Sequence, residues 1–370
     1  MDFDSAKTKI LLNPKINPTK QAHIFSLIER AEMHDHFSGH IILASSGTTK
    51  TDHDDFKLVA LSKTAILTSA HAVNQHLKAT SQDIWLNSLP EFHVGGLGIL
   101  ARAYLTDSKI VEFPSWEPNK FVTLTTSHKV TLTSLVPAQV FDLCSQNLKA
   151  PASLRAVIVG GGAINEELYK KACSLGWPLM ISYGLTEVAS QVATSKLNSQ
   201  KMSFLSHIEA KANSDGFLTL KSPSLLTAYI FIADNKISVS DPKKDGFLTT
   251  EDLGHINGKA VTILGRLTDF IKIGGEGVIF SHLEKRFEDL KLTSNLKTDA
   301  AIIPYPDDRL GFVVHLASIS SDTTELVQKF NSLVMPYERI RHVHYIDKIP
   351  RTVLKKLCKA ELLQSLTKPV

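Results

Sequence analysis

Along the first half of the chain, short apolar runs of strand length alternate with longer stretches whose apolar residues recur every three or four positions. HIILAS (residues 40–45), DIWLNSL (83–89), VTLTSLV (130–136) and AVIVGG (156–161) are of the first kind. AQVFDLCSQNL (138–148) and NEELYKKACSLG (165–176) are of the second. Runs of this kind fit buried strands, and the helical periodicity between them supplies their cover. Strand, helix and strand in that order favour parallel pairing through right-handed crossovers. The pattern therefore predicts an α/β fold: a large N-terminal domain with mostly parallel sheets, helices and a β-rich closing part. In the second helix Asn165 suits the N-cap and Gly176 the stop after the last turn.

The texture changes after about residue 215. DGFLTLKSPSLLTAYI and KAVTILGR read as strands joined by tight turns at Asp215-Gly216, Asp245-Gly246 and Asn257-Gly258, a pattern of antiparallel structure. From Asp269 onward the sequence is α+β again: an IKIGGEGV turn, a SHLEKRFEDL helix, the strands AAIIPY and GFVVHLASI, a further helix and a basic tail. This places a boundary at 267–270, with domains over 1–267 and 268–370.

Composition narrows the function without naming it. The chain has 370 residues, 43% of them hydrophobic, enough for more than one core. Its formal net charge of +4 comes from scattered Lys and Arg rather than a basic patch, which argues against a nucleic-acid partner. The three cysteines, Cys144, Cys173 and Cys358, have neither metal-ligand spacing nor the even number of a disulfide framework. A polar N-terminus and the absence of a long apolar stretch speak against a signal peptide and a membrane span. The expectation is a cytoplasmic protein.

Five segments carry candidate chemistry. ASSGTTK (44–50) follows a strand, and its backbone N–H groups and hydroxyls could cradle phosphate oxygens, although on this segment alone a polar surface turn is the commoner reading. VGGGAI (159–164) would let a ligand approach the backbone closely, or simply make a tight strand–helix junction. In ISYGLTEVAS (181–190) a strand ends at Tyr183, Gly184 turns, and Thr186 and Glu187 project together. A hydroxyl beside a carboxylate suits phosphate and Mg²⁺, and a tyrosine ring suits a base. Asp252 and Arg266 flank a predicted hairpin and could converge, as a ribose clamp or as a surface ion pair. PRTVLKKLCKAEL (350–362) is a basic segment that by itself would be a solvated helix start.

Taken in order, SSGTT, WLNSLPEFHVGGL, LVPAQV, VGGGAI, YGLTE, TEDLG, GRLTDFIKIGGEGV and PRTVLKK resemble the motifs of the adenylate-forming acyl-CoA synthetase superfamily, over residues 40–362. Within it they are most similar to the o-succinylbenzoate–CoA ligases of menaquinone biosynthesis. The resemblance implies an AMP-forming ligase that uses ATP, Mg²⁺ and coenzyme A: a carboxylate attacks the α-phosphate, and the CoA thiol then displaces AMP. The same resemblance assigns roles. Ser45, Ser46, Gly47, Thr48 and Thr49 would cradle the outer phosphates; Gly160, Gly161, Gly162 and Ala163 would shape the adenine and acyl pockets. Tyr183 would stack on adenine beside Gly184, Thr186 would meet phosphate, and Glu187 would hold Mg²⁺. Asp252 and Arg266 would hold the ribose, and His93 and Gly275 would lie on the acyl and CoA path. Lys356 would reach the α-phosphate, and a small mobile C-terminal domain would turn about Thr268 or Asp269. Partners are small molecules, with a homodimer as a further implication.

The sequence also departs from the family pattern. Lys50 replaces a small residue in the phosphate loop, and the next lysine, Lys57, is displaced by an acidic insertion. Thr268 stands where Asp is usual, and Lys355 fills the Gly position before Lys356. The phosphate loop lies early in the chain, as if an N-terminal subdomain were reduced. These departures leave two other readings open: a ligase for a different acid or a carrier-protein thiol, and a non-catalytic nucleotide-binding relative.

Overall fold

The computed structural model describes residues 1–14, 16–30, 37–44, 56–113, 115–233, 236–266, 270–273, 276–294, 298–307, 309–352 and 356–367. The predicted strand–helix alternation builds its centre. Strands Lys109–Glu112, Ile84–Asn87, Leu132–Leu135, Ala156–Val159 and Leu179–Leu185 lie side by side in that order and pair in parallel. Helices Val94–Thr106, Pro118–Ser127, Pro137–Ser145 and Glu166–Ser174 alternate with them along the chain. Every residue of Leu132–Leu135 and Ala156–Val159 is buried, which explains why these runs show no polar alternation. Asn165 accepts from the N–H of Leu168 at 2.7 Å, the cap expected of it.

Past Leu185 the sheet changes character. It continues through Ser190–Ser195, Met202–Phe204, Ala260–Arg266, Leu248–Asn257, Phe217–Lys221 and Glu209–Ala212, making eleven strands. The pairings onto Ser190–Ser195 and Met202–Phe204 are antiparallel, as is the last hairpin. A second sheet of five strands, Lys9–Leu11, His40–Ala44, Phe56–Ser62, Ala228–Ala233 and Lys236–Ser240, is parallel only at its first pair. Helix Pro18–Arg30 packs Ile24, Leu27 and Ile28 against Ile42, Leu58, Ile230 and Ile232 of that sheet. The expectation of mostly parallel sheets is thus corrected to mixed ones. Hairpin turns join neighbouring strands more cheaply than crossovers, so parallel pairing persists mainly where a helix separates two strands.

The chain clusters into two compact units. One comprises Met1–Ala163, Ala172–Thr250 and Ile256–Thr262; the other comprises Ile164–Lys171, Glu251–His255 and Ile263–Val370. The second has its own five-stranded sheet, built from Phe270–Ile273, Glu276–Ile279, Ala300–Asp307, Gly311–Ser318 and Ile340–Tyr345. Helices Phe280–Thr293 and Thr324–Ser332 bury Phe280, Phe287 and Phe330 against its Ile302, Val314 and Leu316. At about 1.5–3 kcal/mol for each large apolar side chain, this cluster is a core in its own right. All three cysteines are free thiols, and among the described residues no helix is long and apolar enough to cross a membrane.

Candidate active site

Four of the motifs emerge at the carboxyl ends of neighbouring parallel strands. Ile84–Asn87 leads to the loop carrying His93, and Leu132–Leu135 leads to Val136-Pro137. Ala156–Val159 leads to Gly160–Ala163, and Leu179–Leu185 to Thr186 and Glu187. In open α/β sheets this edge is where ligands bind, because helix N-termini and backbone N–H groups converge there. His93 occupies the N-cap position of helix Val94–Thr106 without a side-chain capping bond, its ring 4.6 Å from that of Phe92. Gly161 has φ +77°, and Gly161, Gly162 and Ala163 are exposed, so a ligand could meet this loop at its backbone.

The YGLTE segment differs from its expected form. The strand does not end at Tyr183 but runs to Leu185, with a register shift between Tyr183 and Gly184. A one-turn 3₁₀ helix, Thr186–Val188, follows, and Ala189 and Ser190 take positive φ. Gly184 is therefore required by a close approach rather than by a turn: a Cβ there would lie 2.0 Å from the carbonyl oxygen of Ser190. Gly184→Ala should lower stability by about 3 kcal/mol, through forced backbone movement, read as a drop in Tm. An unchanged Tm would refute this. Tyr183 packs partly into the core, while Thr186 and Glu187 are half-buried.

Two contacts to Glu187 were not foreseen. Its carboxylate Oε1 accepts from the hydroxyl of Tyr229 at 3.1 Å, and its carbonyl accepts from the N–H of Leu226 at 2.8 Å. The ammonium of Lys57, the displaced lysine, sits 3.7 Å from the centroid of the Tyr229 ring. Glu187 and Thr186 offer oxygen donors only. One carboxylate is also what Mg²⁺ commonly takes from a protein when nucleotide phosphates and water complete its shell, so this pair fits the implied ion.

Arg102 was also missed. On helix Val94–Thr106, it is 1% exposed, and among the described residues its guanidinium has only long bonds to the hydroxyls of Ser134 (3.4 Å) and Ser190 (3.3 Å). Among the described residues its Nε has no partner, and Trp85 lies at 5.7 Å. Burial pulls its pKa down to about 9. Among the described residues no carboxylate bonds this group, although a buried charge is ordinarily paired. An arginine inside the apolar run GILARAYL was the available sequence signal.

In the second unit the hairpin brings Asp252 and Arg266 together, Nε to Oδ1 at 2.6 Å, with the carboxylate side chain 4% exposed and the guanidinium 46%. Lys356 is held below the ordinary lysine range, by desolvation first and by the like charge of Arg266 second. The residue as a whole is nonetheless exposed. Its backbone is fixed by Thr352, whose N–H donates to the Lys356 carbonyl (2.8 Å) and whose hydroxyl accepts from the Lys356 N–H (3.1 Å). Arg351 ties the segment down through two bonds to Asp299, at 2.6 and 3.2 Å. Ser45, Ser46, Gly47, Thr48, Thr49 and Lys50 lie outside the described residues, as do Thr268, Asp269, Gly275 and Lys355.

Residues 30–213 match the family described as AMP-binding enzyme. A 2-succinylbenzoate–CoA ligase of Bacillus cytotoxicus is 27% identical over 348 residues, spanning 88% of this chain and 70% of that one. Among solved structures, o-succinylbenzoate CoA synthetase of Bacillus subtilis with its acyl-adenylate intermediate superposes with a TM-score of 0.73 at 24% identity, covering 87% of this chain and 68% of that one. The same enzyme with ATP and magnesium ion gives 0.70 at 24%, covering 87% and 69%. With the motifs placed along one sheet edge and these likenesses, the chain belongs to the AMP-binding, adenylate-forming superfamily of ligases.

Proposed function

We propose that the protein is an AMP-forming acid–CoA ligase whose acid is o-succinylbenzoate. The observation that carries the choice of acid is Arg102. A buried guanidinium that no carboxylate of the described residues bonds calls for an anion, and o-succinylbenzoate has two carboxylates, one to be activated and one to spare. Ser134 is the penultimate residue of strand Leu132–Leu135, whose carboxyl end faces the ligand edge, and Ser190 comes just after the Thr186–Val188 turn, so the cation lies beside the motif residues. The Bacillus relatives, named for the same acid, support this reading.

In the first half-reaction the activated carboxylate attacks the α-phosphate of ATP, releasing pyrophosphate. Attack brings two anions together, so the protein's part is positioning and neutralisation rather than covalent chemistry. Gly160–Ala163 and Tyr183 receive the adenine, with Gly184 beside it, and the Asp252–Arg266 pair receives the ribose hydroxyls. Thr186 donates to phosphate, Glu187 would hold the Mg²⁺ that offsets phosphate charge, and Lys356 neutralises the α-phosphate. Ser45–Thr49 hold the outer phosphates. In the second half-reaction the thiol of coenzyme A, entering past His93 and Gly275, attacks the acyl carbonyl and AMP leaves. Residues 268–370 turn about Thr268 or Asp269 between the two steps.

The test is a panel of carboxylic acids in ATP–pyrophosphate exchange and CoA-dependent AMP release. o-Succinylbenzoate should be turned over fastest, ahead of benzoate and of medium-chain fatty acids. Activity with other acids only would sink the substrate assignment, and no activity with any acid would sink the ligase reading.

A further inference from the structure

The segment leading into strand Ala228–Ala233 grips Glu187 twice, at the main chain through Leu226 and at the carboxylate through Tyr229. The segment is itself held firmly. Lys243 donates to the carbonyls of Leu226 (2.8 Å) and Thr227 (3.1 Å), and the N–H of Thr227 donates to the carbonyl of Ala60 (2.8 Å). Tyr229 stands in register between Val59 and Ser240 of the flanking strands. Its hydroxyl thus reaches Glu187 from a rigid element, whereas Glu187 sits on a single 3₁₀ turn.

We propose that Tyr229 is a positioning residue for the metal-binding carboxylate: its hydroxyl pins Oε1 of Glu187 and leaves Oε2 for the magnesium that would accompany ATP. The inference rests on the reading of Glu187 given above. A glutamate side chain free to rotate must lose that freedom when it binds an ion, and a hydrogen bond formed on folding removes the loss from the binding step. Mg²⁺ demands near-ideal geometry, so the orientation of a ligand matters more for it than for a larger cation. The Lys57 ammonium over the ring draws electron density from the phenol and strengthens the hydroxyl as a donor.

Tyr229→Phe removes the hydroxyl and keeps the ring under Lys57. Calorimetry of ATP binding to the full chain, with Mg²⁺ and with EDTA, gives the magnesium-dependent gain in affinity. Tyr229→Phe should cut that gain about tenfold and leave binding in EDTA unchanged. Lys57→Met should cut it less, about threefold. In a Glu187→Gln background, Tyr229→Phe should have no further effect, because the group it positions is already altered. The inference is overturned by an undiminished gain in Tyr229→Phe, by equal losses with Mg²⁺ and EDTA, or by a full effect in the Glu187→Gln background. A wild-type protein that gains nothing from Mg²⁺ overturns it too. If the protein binds Mg·ATP but activates no acid, the ligase reading fails separately, and the magnesium gain still decides the role of Tyr229.

Discussion

Lys356→Ala should slow ATP–pyrophosphate exchange by ~10²–10³-fold or more, the order seen when one preorganised stabiliser of developing charge is removed. It should leave thioester formation from preformed acyl-adenylate nearly unchanged, since in the proposed scheme residues 268–370 turn between the two steps and Lys356 serves only the first. The Thr352 bonds that fix the Lys356 backbone do not involve its ammonium, so the variant should also keep its fold. The pH dependence carries a second signature. Desolvation and the Arg266 guanidinium hold the Lys356 pKa below the lysine norm, so the ammonium is lost at lower pH than an ordinary lysine's. Adenylation should therefore decline on an alkaline limb that begins early, and this limb should vanish from the residual activity of Lys356→Ala. Equal loss in both half-reactions would show a structural role instead. If Lys355→Ala reproduces the selective loss and Lys356→Ala does not, the assignment belongs one residue earlier.

What could be read from the sequence was local. The parallel centre followed from apolar runs alternating with helical periods, and the Asn165 cap followed from one residue ahead of a helix. The Asp252–Arg266 pair, fourteen residues apart, was within reach because the Asn257-Gly258 turn dictates a hairpin that folds one onto the other. Contacts without such a turn were invisible. Tyr229 and Glu187 are 42 positions apart, and Arg102 and Ser190 are 88 apart. Neither pair lies within one sheet: Tyr229, placed by the pairing of Ala228–Ala233 with Phe56–Ser62, meets a turn that follows a strand of the eleven-stranded sheet, and Arg102 reaches Ser190 from a helix. Nothing in the run AYIFIA shows which strand it will pair with, so the mixed character of the sheets was hidden for the same reason. Gly184 shows a subtler limit: the need for glycine was correct, but the cause is a carbonyl six residues away rather than a turn.

Arg102→Met should raise the KM for o-succinylbenzoate by about 10–100-fold, the range expected when a charge-assisted hydrogen bond to a carboxylate is lost. The KM for ATP should not move, because Arg102 bonds serines at the sheet edge and none of the residues assigned to nucleotide. Methionine fills much of the volume of the arginine stem, and it removes a buried charge whose hydrogen bonds among the described residues are two long ones to serine hydroxyls. Breaking a well-paired buried ion costs a protein several kcal/mol, but replacing an unpaired one with an apolar side chain is often neutral or stabilising. Tm should accordingly hold or rise while affinity for the acid falls, a combination that separates a binding role from a structural one. An acid of the same shape lacking the second carboxylate should bind wild type and variant alike. If the variant instead loses Tm and affinity for ATP and acid together, Arg102 is a core residue, and the case for a dicarboxylate substrate loses its physical support.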